Sequence, residues 1–415
     1  MLKRIIAIAV IFACATVAWL VLGATIFERT YSSDSALADH VVANWGAPQN
    51  QSPPAAAVSI TKQVELIENG KKQLVAQTET VALPLDSSHI NVVLDLAHRQ
   101  KGLLWYSTYT VDFAGTYTFH NTTDQDQVTF TLNFPAERAI YDDLQFTVDD
   151  APVTLTNNQR TTAGTAKVAA GKTATLKIAY RSQGLTDWRY SFGGNVAQVH
   201  DFDLKVRTNF KAVDFPDTLS PTDKQETADG WELGWNYKNL VTGYQIGVLM
   251  PEKLQPGPLA GRISLFAPVS LFFFFFLMFI ITTMRGLELH PMNYFFLATA
   301  FFSFHLLLAY MVDHVSIHTA FAVSSVVSIF LVVSYLRLVL GTRFATREAA
   351  VAQFIYLVLF SYAFFFKGFT GLAVTIGSIL TLFVVMQITG RVRWAEKFAG
   401  KQNGEAAAAA PPQRS

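Results

Sequence analysis

Six long apolar runs constrain this chain more than any other feature. The first, Ile5–Phe27, follows Lys3-Arg4; the others are Ile263–Met284, Met292–Val312, Ile317–Leu336, Ala350–Phe366 and Phe369–Thr389. A helix rises about 1.5 Å per residue and the hydrocarbon core of a bilayer is roughly 30 Å thick, so runs of this length are read as membrane crossings. A cleavable export signal has an apolar stretch of only about 7–15 residues, so the first run reads as a retained anchor. Composition agrees: the 415 residues are 51% hydrophobic and only 15% charged, where a soluble domain has about 25% charged residues.

Charge is informative by position. The formal net charge of +1 provides no field to attract nucleic acid, and no acidic surface that asks for a basic partner. Along the chain, however, Lys3, Arg4, Arg285, Arg337, Arg343, Arg347, Arg391, Arg393, Lys397 and Lys401 all fall on one side of the predicted crossings. Arg262 and Lys367 lie close to helix ends on the other side. By the positive-inside rule both termini are cytoplasmic and residues 28–262 lie outside. The single cysteine, Cys14, sits inside the first apolar run, so the exported region must hold together without an internal disulfide. Ile11-Phe12-Ala13 before it loosely echoes a lipoprotein cleavage site, but Phe12 fits poorly and the apolar run continues beyond the cysteine.

The exported region begins with a predicted short helix. Ser33-Asp34 can cap it, Leu37, Val41 and Trp45 recur at helical spacing, and Gly46 and Pro48 stop it. After the Pro53–Ala57 spacer the apolar period falls from about four to two, the mark of strands with one buried face. Val64 and Leu66 are joined to Leu74 across Asn69-Gly70, a pair suited to a type I′ turn. The alternation recurs at Val128/Phe130/Leu132/Phe134, Leu144/Phe146/Val148, Leu176/Ile178/Tyr180, Trp188/Tyr190/Phe192, Phe202/Leu204/Val206, Trp231/Leu233/Trp235 and Tyr244/Ile246/Val248. Many short strands with no helices between them predict an antiparallel β-sandwich, single and elaborated or double. The fold class expected is therefore α+β: six transmembrane α-helices, one plus five, with a large exported β-sandwich-type domain. The predicted divisions are an anchor at 1–27, a juxtamembrane helix and linker at 28–57, a β-rich domain at 58–257, a five-helix block at 258–395 and a disordered tail at 396–415, whose Ala406–Ala410 run lacks a periodic apolar pattern.

Candidate chemistry is sparse. The chain contains no Gly-rich phosphate loop, no His-Glu-x-x-His zinc motif and no Gly-x-Ser-x-Gly elbow, so no cofactor, metal or catalytic residue is assigned. The candidate functional positions are His290, His305, Asp313, His314 and His318. His305 falls in the middle of a membrane run, where an ionisable group is either functional or a neutral histidine bonded to its surroundings. His314 and His318 are four apart after Asp313 and would share a metal on one continuous helix, unless a break between helices separates them and they are ordinary interfacial residues. His305 lies roughly 13 Å along a helix from His314, too far to join such a site. His290-Pro291 reads as the start of a helix. Phe272–Phe276, one turn after Pro268, reads as lipid-facing and inter-helix filling. Trp188, Trp231 and Trp235 form either an aromatic surface or, more simply, core.

Several separated strings resemble one family, the CreD-type inner-membrane proteins, also called cell envelope integrity proteins. They are Glu28-Arg29 with Trp45-Gly46-Ala47-Pro48-Gln49; Leu289-His290-Pro291-Met292 with Tyr294; His305-Leu306-Leu307-Leu308 and Asp313-His314; Tyr335 with Gly341; and Arg393-Trp394. The chain departs from the family at His305, where an aromatic residue is usual, and at Lys367-Gly368-Phe369, where an acidic pair is usual. The resemblance implies a multi-pass protein of the bacterial inner membrane with a periplasmic domain and a role in envelope integrity, and implies no reaction, ligand or cofactor. The expected function is non-enzymatic: the helices anchor a periplasmic β domain that binds envelope components. Its partners would be the lipid bilayer and a periplasmic or membrane protein whose identity the sequence leaves open. A transport or channel subunit with a polar path at His305 is the alternative, and an enzyme acting on lipid or cell wall is the third.

Overall fold

The computed structural model describes residues 2–68, 71–193, 197–215, 217–366 and 368–390. The Asn69-Gly70 turn, Lys367, Arg393-Trp394 and the tail at 396–415 lie outside the described residues. The chain divides into two compact units, a helical unit built from Met1–Asp34, Gly102–Leu104 and Leu254–Ser415, and a β unit built from Ser35–Lys101 and Trp105–Lys253.

In the helical unit six helices are long and apolar enough to cross a membrane. Their apolar spans are Lys3–Ser32, Pro256–Met284, Pro291–Met311, Ile317–Leu340, Thr342–Phe365 and Thr370–Thr389. We number the helices α1 (Leu2–Trp45), α2 (Pro256–Met284), α3 (Pro291–Met311), α4 (Ile317–Leu340), α5 (Thr342–Phe365) and α6 (Thr370–Thr389). The separate juxtamembrane helix expected from the sequence is instead the end of α1: Ser33-Asp34 lie inside a continuous helix that stops at Trp45. A capping side chain offers an alternative to the helical ladder but does not enforce a break when the residues on both sides already favour helix.

Helix α3 shows how the unit packs. Tyr294, Leu297, Phe301, Phe304 and Leu308, spaced three or four apart, are fully buried, while Met292, Phe295, Phe296, Leu306 and Tyr310 on the other face are exposed. A helix in lipid need not hide its apolar face, so contact between helices rests on close packing and small residues. Gly257 and Gly261 of α2 supply that against α1: an added Cβ would lie 2.4 Å from the Thr30 hydroxyl at the first and 2.8 Å from the Phe27 ring at the second. The Phe272–Phe276 run divides as expected, with Phe274 and Phe275 buried and Phe272 and Phe276 facing outward.

The β unit has two sheets. We number its strands β1 (Ala47–Gln51), β2 (Ala55–Glu68), β3 (Lys71–Ala82), β4 (Leu85–Lys101), β5 (Leu104–His120), β6 (Gln127–Asn133), β7 (Tyr141–Val148), β8 (Ala151–Pro152), β9 (Leu155–Asn157), β10 (Thr161–Lys167), β11 (Thr173–Tyr190), β12 (Ala197–Thr208), β13 (Asp223–Glu226), β14 (Trp231–Thr242) and β15 (Ile246–Leu249). The larger sheet has the order β13-β14-β12-β4-β5-β11-β7-β8, with β1 and β15 also paired to β11, and the smaller is β3-β2-β6-β10-β9. The sheets share one hydrophobic core, in which Val128, Phe130 and Leu132 of β6 meet Leu176, Trp188, Leu204 and Trp235 of the larger sheet. Each such side chain contributes roughly 1.5–3 kcal/mol on full burial. The unit is thus one elaborated sandwich. Trp188 and Trp235 are core residues, and Trp231 is partly buried with the Lys224 ammonium 4.1 Å above its ring.

Two strand pairs depart from the antiparallel expectation: β4 with β12, and β1 with β11, are parallel. Parallel neighbours need long connections, and both pairs have them in sequence, so alternation along each strand carries no record of their direction. Pairing of β1 explains Gly46, which has φ +92° and whose added Cβ would lie 2.3 Å from the Gln183 carbonyl oxygen. At Asp149-Asp150 both residues have positive φ, 50° and 61°, as a tight two-residue turn between β7 and β8 requires.

Candidate functional site

Several polar side chains of the helical unit cap or join its helices. His290 caps α3: its Nδ1 accepts from the Met292 N–H at 3.2 Å, and Pro291 occupies the first helical position. Asp313, just past the end of α3, receives Arg29 of α1, with Nη1 3.2 Å from Oδ2. The Arg29 Nη2 donates to the Ala309 carbonyl at 2.6 Å, and the guanidinium lies 5.1 Å from the centre of the Tyr310 ring. Ala309 lies in the last turn of α3, where carbonyls lack helical partners and the helix dipole favours a cation, so one arginine caps α3 and ties it to α1. Arg285, after α2, pairs likewise with Glu348 of α5 at 2.6 Å.

His305 is completely buried. Its Nδ1 donates to the Phe301 carbonyl at 3.2 Å, and its ring lies edge to face with Trp19 of α1 and Phe304, centroids 5.5 and 4.8 Å away. Its Nε2 and the Trp19 Nε1 have no hydrogen-bond partner among the described residues. His314 and His318 are exposed on either side of Ser316, which caps α4 by accepting from the Thr319 N–H at 3.2 Å. The His318 ring packs 5.1 Å from Phe365. The helix break falls between the two histidines, and no group of three or more His, Cys, Asp or Glu side chains is placed to hold a metal among the described residues. The structure therefore does not bring the five predicted positions together.

The sequence reading passed over a second buried network. The Ser328 hydroxyl of α4 donates to the Ala300 carbonyl of α3 at 2.6 Å, and Gln353 of α5 donates to Ser328 at 2.8 Å. Two π-helical stretches, Ala345–Ala349 and Phe354–Leu359, flank Gln353. Such bulges re-aim side chains within a helix, and here the residue between them reaches Ser328 of α4, which in turn bonds to α3. Tyr335 of α4 similarly donates to Asn293 of α3 at 2.7 Å.

In the β unit, polar side chains gather around an open cleft of about 540 Å³, lined by Asn50, Ser52, Asn133, Asp217 and Gln245 with the aromatic rings of Phe192 and Tyr244. Ser191, Thr242 and the backbone of Gly193 and Gly243 complete it. Tyr244, which the sequence alternation groups with Ile246 and Val248, precedes β15 and is 66% exposed. The walls come from the ends of β1, β6, β11 and β14 and from the connection between β14 and β15, so no local motif marks the cleft.

A model of the inner membrane protein CreD family matches residues 1–395. This chain belongs to the CreD family. Among curated proteins none matches it. Of solved structures, a "putative nutrient binding protein" from Legionella pneumophila is 11% identical over 55% of this chain and 76% of its own, with a TM-score of 0.32. An M1 zinc metallopeptidase from Deinococcus radiodurans is 10% identical over 40% of this chain, with a TM-score of 0.27. This chain spans 42% of that metallopeptidase chain. At these scores neither structure bears on what the CreD-family protein does. Membership places it in the inner membrane with a role in the cell envelope. The strings that carry the resemblance occupy structural junctions. Gly46 and Gln49 seat β1, with the Gln49 amide donating to Ser182 Oγ and the Gln183 carbonyl at 2.9 Å; Arg29 and Asp313 join two helices; His290 and Gly341, with φ +87°, begin and end helices.

Proposed function

We propose that this CreD-family protein is a non-enzymatic, bilayer-anchored binding protein. Both termini lie in the cytoplasm, residues 28–262 face the periplasm, and the β unit binds an envelope component. One observation supports this reading: in the helical unit Arg29–Asp313 and Arg285–Glu348 join helices, whereas the β unit opens a cleft lined by polar side chains that have no partner among the described residues. Two grooves along the helices have almost wholly apolar linings, one along Ile5, Phe12, Phe272 and Phe279 and the other along Ile355, Gly377 and Leu380, and neither includes His305. These match lipid chains better than a conducted ion.

The test is retention of the purified full-length protein on isolated cell-wall sacculi and on outer-membrane vesicles. Retention on at least one, lost on competition with excess soluble digest of the same sacculi or vesicles, is expected. Absence of retention on both overturns the reading. A second reading, a transport path through the helices, draws on the unpartnered Nε2 of His305 and Oε1 of Gln353. If His305→Phe folds normally yet abolishes an envelope phenotype, that reading replaces the first.

A further inference from the structure

We infer that the cleft of the β unit is a groove for a neutral sugar chain. The inference rests on the reading that this unit binds an envelope component and names the chemistry of that component.

Asn50, Asn133 and Gln245 contribute three amides, each with two donors and an acceptor; Ser52 and Ser191 contribute hydroxyls, and Asp217 a carboxylate. None of these six side chains has a hydrogen-bond or ion-pair partner among the described residues. Several other polar side chains of the unit pair with one another, as in Lys62–Glu79, Arg181–Asp112, Lys211–Glu226 and Tyr180–Gln51. Lining groups that both donate and accept match a ligand whose hydroxyls do the same.

The absence of Lys and Arg from the lining disfavours phosphate, nucleic acid and anionic lipid headgroups, which are bound through such side chains. A bare cation would have no use for the rings of Phe192 and Tyr244 or for about 540 Å³ of space, a volume typical of organic-ligand sites. Apolar ring faces beside amides and hydroxyls suit a sugar, which presents C–H groups on its faces and hydroxyls around its edge.

A second cavity of about 320 Å³, lined among others by Pro53, Pro54, Gln198, His200 and Phe202, also touches Phe192, so a ligand of more than one ring would meet a further lined surface beyond that side chain. The backbone around the groove is pinned: the Asn50 N–H donates to Pro135, Ser191 to Gln51 and Leu219 to Gln245, at 3.1, 2.8 and 2.9 Å. The Thr242 hydroxyl accepts from the Tyr244 N–H at 2.9 Å. The site is therefore largely formed before a ligand arrives, which lowers the cost of ordering it.

The test titrates the full-length protein in micelles with chitotetraose and cellotetraose, the N-acetylated and plain neutral probes, and with a muramyl-type peptide stem and an anionic polysaccharide as controls. Saturable binding of at least one neutral tetraose is expected, and the preferred probe distinguishes an N-acetylated wall strand from a plain glucan. Asn133→Ala, Asp217→Ala and Tyr244→Ala should each weaken it by about tenfold, the loss of roughly 1.4 kcal/mol, with the thermal midpoint unchanged. Binding only of a control, no binding of either tetraose, or binding indifferent to all three substitutions overturns the inference. If sacculi still retain the protein while both tetraoses are ignored, the sugar assignment fails and the envelope-binding reading stands. If sacculi and vesicles are also ignored, both fail.

Discussion

The two units differ in where they place polar side chains. In the helical unit Arg29 is committed to Asp313 and Ala309, Arg285 to Glu348, His290 to its own helix start and Gln353 to Ser328. In the β unit the cleft presents Asn50, Asn133, Asp217 and Gln245, whose side chains have no hydrogen-bond partner among the described residues. The contrast teaches where to look for function. A polar group in a membrane bundle is costly unless it joins helices, so its presence by itself is weak evidence of chemistry. An unpaired cluster at the rim of a rigid sandwich has no such structural task.

The largest effect expected to separate the units is alkaline unfolding of the sandwich. Burial, the leading cause, raises the Tyr109, Tyr180 and Tyr190 hydroxyls well above their ordinary value, and burial also pushes Tyr141 up to about 12. Each folded value lies above the unfolded one near 10, so the stabilisation is complete below about pH 10 and is lost as pH rises through the folded values. The β signal in circular dichroism should hold to about pH 9 and collapse cooperatively above pH 10, with the helical signal persisting longer. A β signal unchanged at pH 12 would break the comparison.

Next in size is Gly46→Ala, which meets both a positive φ and the Gln183 carbonyl. We expect a loss of about 3 kcal/mol, read as a lowered melting temperature of the β signal. Gly341→Ala in the helical unit has a similar φ, +87°, but nothing within 4 Å, so only backbone strain of about 1–2 kcal/mol applies. Equal losses at the two glycines would show that crowding at Gly46 is relieved in solution.

Arg29→Ala should then destabilise the helical unit by about 2 kcal/mol, because it removes an ion pair and a helix cap from side chains only about one-third exposed. Arg29→Lys should recover part of this, since a lysine meets one acceptor at a time where the guanidinium meets two. Thermal unfolding in micelles measures both. The smallest effect is expected for His305→Phe: an unpartnered Nε2 among Trp19, Phe301 and Phe304 is exchanged for ring carbon, so stability should change by less than about 1 kcal/mol or rise.

Much of the architecture was legible because burial leaves a local period. The six spans, the strand alternation at β6, β11, β12 and β14, and the helix start at His290-Pro291 all follow from residues within a few positions of one another. The misses have a common cause. Ser33-Asp34 carried a capping signal that the surrounding helix overrode. Tyr244 continued the alternation of Ile246 and Val248 yet falls on the turn before β15, where the chain has left the sheet and its ring faces outward. His314 and His318 shared helical spacing across a helix break. In each case a short-range pattern was overridden by the path the surrounding backbone takes.

The sequence by itself determined that this chain crosses a membrane with six helices, carries a large β domain and belongs with the CreD family, because hydrophobicity and its period act residue by residue. Only the tertiary structure decided which polar residues matter. It paired Arg29 with Asp313, brought Gln353 to Ser328, laid β1 parallel to β11 and β4 parallel to β12, and gathered Asn50, Asn133, Asp217 and Gln245 around one cleft. Those groups are far apart along the chain, and hydrogen bonding and charge act over a few ångströms of space, so their meeting leaves no trace in the order of the residues.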